Sequence, residues 1–87
     1  NGYYKVTATD TVEYIKPIKK KVSTVTIPDS VNLKGANYKV TSIASKAFKS
    51  NKYLKKAIIG NNVIQIKSYA FYKCTKLSYV QIGGSKS

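Results

Sequence analysis

Residues 40–60, VTSIASKAFKSNKYLKKAIIG, and residues 63–83, VIQIKSYAFYKCTKLSYVQIG, are two copies of one phrase set 23 positions apart. Eight positions are identical: Val40/Val63, Ile43/Ile66, Ser45/Ser68, Ala47/Ala70, Phe48/Phe71, Leu54/Leu77, Ile59/Ile82 and Gly60/Gly83. Ala57/Val80 is a conservative ninth. Nearly all of these residues are apolar or small, as a stacked core requires. Each copy can bury its apolar edge only against the next one. A period this short is too small for a helix pair and fits one short strand per turn of a solenoid.

The unit can be read residue by residue. Leu54, Ala57 and Ile59 lead into a strand that places Lys56 and Ile58 on its other face. Gly60-Asn61-Asn62 turns the chain. Val63 and Ile66 form a second extended piece, and Ser68 is placed to cap one helical turn. Ala70 and Phe71 begin that turn and drive a ring inward, Cys74 follows, and Leu77 restarts the cycle.

The pattern resembles the BspA-like leucine-rich repeat of bacterial surface proteins, with a unit of roughly L-x-x-V-x-I-P/G-x-x-V-x-x-I-x-x-x-A-F-x-x-C/N. Leu54, Ala57, Ile59, Gly60, Val63, Ile66, Ala70, Phe71 and Cys74 fill it, and Leu77, Val80, Ile82 and Gly83 open the next unit. A degenerate pass reads Val22, Val25, Ile27, Pro28 and Val31. Ala57 departs where the family prefers valine. The resemblance implies that Asn51 and Cys74 are structural equivalents, each bonding a backbone group of the neighbouring coil. As a nucleophile or metal ligand, Cys74 would need a histidine or a second thiol, and the chain has neither.

The fold expected is therefore β-rich α/β: a leucine-rich-repeat solenoid of about two and a half coils of ~23 residues. Short parallel strands would alternate with single helical turns. Residues 22–39 form a degenerate coil with a hairpin insertion around Lys34-Gly35-Ala36-Asn37, followed by coils 40–62 and 63–83. Residues 1–21 read as an N-terminal β-hairpin cap, YYKVTAT against VEYI, with Pro17 ending the second strand. Residues 84–87 have flexible-linker composition.

Composition argues against catalysis. There is no histidine, and the three acids, Asp10, Glu13 and Asp29, are scattered among turns and a strand. Asp29 is a turn former in Pro-Asp-Ser rather than a base. No phosphate loop or zinc spacing is visible, so neither a cofactor nor a metal is expected. No apolar run approaches the ~20 residues of a membrane helix.

All sixteen basic residues are lysine, and the net charge is +13. Nonspecific binding of polyanions such as nucleic acid or an anionic wall polymer is one function this suits. Lys19, Lys20 and Lys21 form one cluster for it, and Lys46, Lys49, Lys52 and Lys55 a second. Tyrosines at 53, 69, 72 and 79 could offer stacking faces. The absence of arginine speaks against reading of base edges.

The resemblance implies instead a non-enzymatic binding or adhesion module, extracellular or on a bacterial cell surface, that recognises a protein or a glycan. Its face would be the outward set of the repeat strands: Thr24, Thr26, Lys56, Ile58, Tyr79 and Gln81. A structural spacer is the third alternative. The last coil, with Tyr69, Phe71, Leu77, Val80 and Ile82, has no apolar segment after it. That predicts a longer array, or self-association through the C-terminal coil.

Overall fold

The computed structural model describes residues 2–83, and the expected flexible tail, 84–87, lies outside the described residues. Eight strands follow in order: β1 (Gly2–Ala8), β2 (Thr11–Pro17), β3 (Thr24–Ile27), β4 (Ser30–Leu33), β5 (Ala36–Ile43), β6 (Lys56–Ile59), β7 (Gln65–Ile66) and β8 (Tyr79–Ile82). Two ladders carry the repeat. In the first, β3, β6 and β8 run parallel in the order β3-β6-β8. Val25 pairs with Ala57 and Ala57 with Val80, while Ile27 pairs with Ile59 and Ile59 with Ile82. The identities seen in sequence are thus neighbours in space, as the 23-residue period predicted.

The second ladder stacks β2, β5 and β7, also parallel, with Tyr14 beside Ile43 and Ile43 beside Ile66. β1 folds back antiparallel on β2, and β4 pairs antiparallel with the first half of β5. The β4–β5 turn is Lys34-Gly35, both with positive φ (52° and 88°), which is the backbone of a type I′ hairpin. The expected hairpin insertion is present with a tighter turn than the four residues anticipated.

The expected single helical turns are not: among the described residues there is no helix, and the structure is all-β. Ser68 consequently caps nothing helical. The reason lies in left-handed residues at matching repeat positions, Lys46 and Tyr69 (φ 63° and 62°) and Ser50 and Lys73 (φ 59° and 56°). They reverse the chain every few residues, so no i→i−4 ladder can propagate. Alternate amides instead close tight turns, as Ala47 N–H to Ala44 O and Lys49 N–H to Lys46 O. The amides between them donate across to the next repeat: Lys46 to Ser68 O, Phe48 to Ala70 O and Ser50 to Tyr72 O. The corner is a parallel ladder of turns.

A non-glycine residue held left-handed costs about 1–2 kcal/mol, against about 0.5–1 kcal/mol of extra chain entropy for glycine. Ser50, exposed and at φ 59°, makes the test. Ser50→Gly is expected to raise stability by about 0.5–1 kcal/mol in urea unfolding, and a loss of stability would contradict this account.

The core lies between the ladders. Val12, Tyr14, Val40, Ile43, Phe48 and Leu54 are buried, and β3 and β6 bury Val25, Ile27, Ala57 and Ile59. Tyr14, Phe48 and Phe71 stack as one ring column, with centroids 5.5 and 5.1 Å apart. Phe71, the outer ring, is only partly buried, and Tyr69, Val80 and Ile82 are 57%, 46% and 63% exposed.

Candidate binding surfaces

The six residues expected to form a binding face are brought together in two straight rows. Thr24, Lys56 and Tyr79 are register partners across β3, β6 and β8, and Thr26, Ile58 and Gln81 form the parallel row. Strand alternation causes this: where Val25, Ile27, Ala57 and Ile59 point inward, their neighbours must point outward. Thr24, Thr26, Lys56 and Tyr79 are exposed, and Ile58 and Gln81 are partly covered. The Lys56 ammonium sits 5.1 Å from the Tyr79 ring centroid, and the Tyr79 hydroxyl is 3.0 Å from Gln81 Oε1. These contacts order one end of the face before any ligand arrives. A cleft of about 340 Å³ borders its other end at Thr24, Thr26 and Pro28.

The lysines expected to meet polyanions are all exposed, and the fold gathers some of them. A cleft of about 560 Å³ opens between the open end of the β1–β2 hairpin and the 46–53 corner. Lys20, Lys46, Lys49 and Lys52 line it, while Lys19, Lys21 and Lys55 lie outside its lining. Lys16 and Tyr3, which sequence reasoning missed, complete the wall, and Tyr53 stands at its rim. No local signal marks Lys16 or Tyr3; they reach the cleft only because the hairpin docks beside the corner. Tyr69, Tyr72 and Tyr79 are elsewhere, Tyr69 and Tyr72 against each other with centroids 5.0 Å apart.

Asn51 builds one wall of this cleft. Its Nδ2 donates to the Lys20 carbonyl at 3.1 Å, and its Oδ1 accepts from the Tyr53 and Leu54 amides at 3.0 and 3.2 Å. At the equivalent position the Cys74 S–H donates to the Phe48 carbonyl at 3.0 Å. Both side chains therefore tie a corner to backbone earlier in the chain, Asn51 to the 18–21 segment and Cys74 to the preceding repeat. Burial pushes the Cys74 thiol up, partly offset by the Asn51 backbone, so at neutral pH it is a protonated donor and a poor nucleophile.

The three acids serve the architecture. Asp29 Oδ1 accepts from the Asn61 amide at 2.6 Å, and its carbonyl accepts from Asn62 Nδ2 at 2.9 Å, so it clamps the turn of the next repeat. Glu13, 7% exposed, pairs with Lys67 at 3.0 Å across 54 residues of chain. Asp10 sits in the β1–β2 turn, where its carbonyl accepts from the Lys39 amide at 2.8 Å. Tyr14 is buried beside Tyr4, and burial together with that neighbour holds its phenol neutral, far above its ordinary range. Among the described residues no helix is long and apolar enough to cross a membrane.

Short parallel strands stacked repeat on repeat, with a ladder of turns between successive corners, define a leucine-rich-repeat protein. The family profile described as a BspA type leucine rich repeat region (6 copies) matches residues 18–87, and the chain belongs to that family. Its fold is similar to that of a leucine rich cell surface protein from Faecalibacterium prausnitzii (TM-score 0.85, 32% identity, 95% of this chain and 22% of that one). A leucine-rich repeat protein from Bacteroides capillosus is also similar (TM-score 0.82, 25% identity, 92% and 59%). So is the T. pallidum leucine rich repeat protein (TM-score 0.80, 25% identity, 97% and 37%). The chain thus spans from 22% to 59% of the length of these structures. No curated protein matches significantly. Proteins of this family are generally protein-interaction modules and typically non-enzymatic scaffolds, commonly on bacterial surfaces, and no catalytic family is indicated.

Proposed function

We propose that this chain is a binding or adhesion module of the bacterial cell surface or the secreted medium, which recognises a protein or a glycan through the outward face of β3, β6 and β8. In this reading residues 22–83 are about two and a half coils of a solenoid, and residues 1–21 cap it. The observation that carries the proposal is the pair of registered rows, Thr24-Lys56-Tyr79 and Thr26-Ile58-Gln81. They set an aromatic ring, an aliphatic side chain, a cation and hydroxyls on one surface, and tyrosine is among the residues enriched at recognition interfaces. Such a row lengthens with each added coil without any change in the core.

Arrays of extracellular-matrix proteins and of glycans, probed with the chain and with a Thr26→Arg/Tyr79→Ala variant, test this. Both positions are exposed, so the variant should fold. A genuine ligand is expected to bind the variant at least about ten-fold more weakly, since truncating an interface tyrosine commonly costs that much. A ligand held equally by both would place recognition elsewhere. A chain that binds nothing on either array would be a spacer.

A further inference from the structure

The lysine-lined cleft is a site of a different kind. Five lysines, Lys16, Lys20, Lys46, Lys49 and Lys52, line one cavity of about 560 Å³. Its lining contains no carboxylate. The acids of the chain do not neutralise it: Glu13 is bound to Lys67, and Asp29 to the Asn61 turn. Asp10 lies at the opposite end of a hairpin whose seven-residue strands run about 20 Å, twice the ~10 Å over which 0.1 M salt screens charge. Among the described residues the one ion pair is Lys67–Glu13, so all five cleft ammoniums keep their charge for a ligand.

The rims of the cleft are also held in place. The Lys16 ammonium lies 5.4 Å from the Tyr3 ring centroid at one rim, and Lys21 lies 5.8 Å from Tyr53 at the other. The Asn51–Lys20 hydrogen bond keeps the 18–21 loop against the corner. Anchoring of this kind lowers the ordering cost a ligand must meet. The volume falls inside the roughly 300–1,000 Å³ of small-ligand clefts, which suits a few linked rings.

We propose that this cleft binds a short anionic oligosaccharide, one carrying sulfate or carboxylate groups on successive sugars. Lysine supplies compact point charges without the planar fork that reads base edges. Both rim tyrosines have a lysine over one face of the ring, and that cation competes there with the base stacking that single-stranded nucleic acid needs. Sugar rings ask for less: charge around them, hydroxyl partners such as Ser50, and apolar surface such as that of Ile18 for their C–H faces. The site is independent of the β3–β6–β8 face, and either can fail without the other.

The test is calorimetric titration of the full chain with a heparin-derived tetrasaccharide, and separately with a short oligothymidylate, at ~50 and ~200 mM salt. The tetrasaccharide is expected to bind at the lower salt. Lys46→Gln/Lys49→Gln/Lys52→Gln should weaken it at least about ten-fold and lower the slope of log K against log salt by about two. Lys5→Gln/Lys39→Gln/Lys76→Gln removes the same charge from exposed positions outside the cleft and should change affinity by less than about two-fold. Should the first variant lose its native circular dichroism, Lys16→Gln/Lys20→Gln gives the same readout from the opposite wall. Equal losses in cleft and control variants would mean delocalised charge and overturn the proposal, as would no binding by the unmodified chain. Tighter binding of oligothymidylate that the cleft substitutions abolish would replace it with a nucleic-acid site.

Discussion

Phe48→Ala is expected to cost about 3–5 kcal/mol, against a total stability of order 5–15 kcal/mol for a domain. The ring is 2% exposed and lies between two others, 5.5 Å from Tyr14 at an interplanar angle of 17° and 5.1 Å from Phe71 at 7°. Removing it opens a cavity and ends both stacking contacts, each worth about 0.5–1.5 kcal/mol beyond buried area. Tyr14 is held in the second ladder and Phe71 in the next repeat, so neither can close the gap without breaking register. The same substitution at Phe71, identical to Phe48 in the repeat but only partly buried, should cost clearly less. Urea unfolding of the two variants checks the order. Equal costs, or a Phe48→Ala cost below about 1.5 kcal/mol, would show that the ring column does not organise the core.

Gly60→Ala is expected to destabilise by about 1–3 kcal/mol or more, although it adds one methyl group at a turn. A Cβ on Gly60 would lie 2.7 Å from the Ile27 carbonyl oxygen and 2.8 Å from both the Pro28 carbonyl carbon and oxygen. All three are backbone atoms of the preceding repeat and cannot swing aside. The whole turn would have to lift, and with it the end of the β3–β6 pairing at Ile27 and Ile59. Amide exchange in β6 should therefore accelerate together with the loss in unfolding free energy. Wild-type stability for this variant would mean that successive repeats do not approach backbone to backbone. Gly83, the equivalent residue, would meet only the Asn61 side-chain oxygen, at 3.3 Å, so the demand for glycine there is one of conformation, φ 69°.

Both expectations concern positions that the repeat makes visible and the structure then ranks. Phe48 and Phe71 are indistinguishable as letters. Only stacking shows that one has a ring on each side and the other lies at the outer end of the column. The helical turn expected after Ser68 failed for a similar reason. Ser-x-Ala-Phe has the spacing of a capped turn, but a lone turn is weakly determined by local propensity. Cross-repeat bonds from Lys46, Phe48 and Ser50 hold the corner in its left-handed turns instead.

What the sequence alone determined was the period and everything that follows from it. The 23-residue spacing fixes which residues of β6 and β8 become neighbours, and strand alternation then separates Ala57, Ile59, Val80 and Ile82 from Lys56, Ile58, Tyr79 and Gln81. The candidate face was legible for that reason, as were the shared duties of Asn51 and Cys74. The cleft was not. Lys16 and Lys52 are 36 positions apart by their numbering and obey no repeat, and they meet because the β1–β2 hairpin docks through β2 along β5. The Glu13–Lys67 pair arises in the same way. Periodic contacts are written in the chain because each copy must match the one before it. Contacts between a repeat and a non-repeating hairpin carry no such constraint, and only tertiary packing decides them.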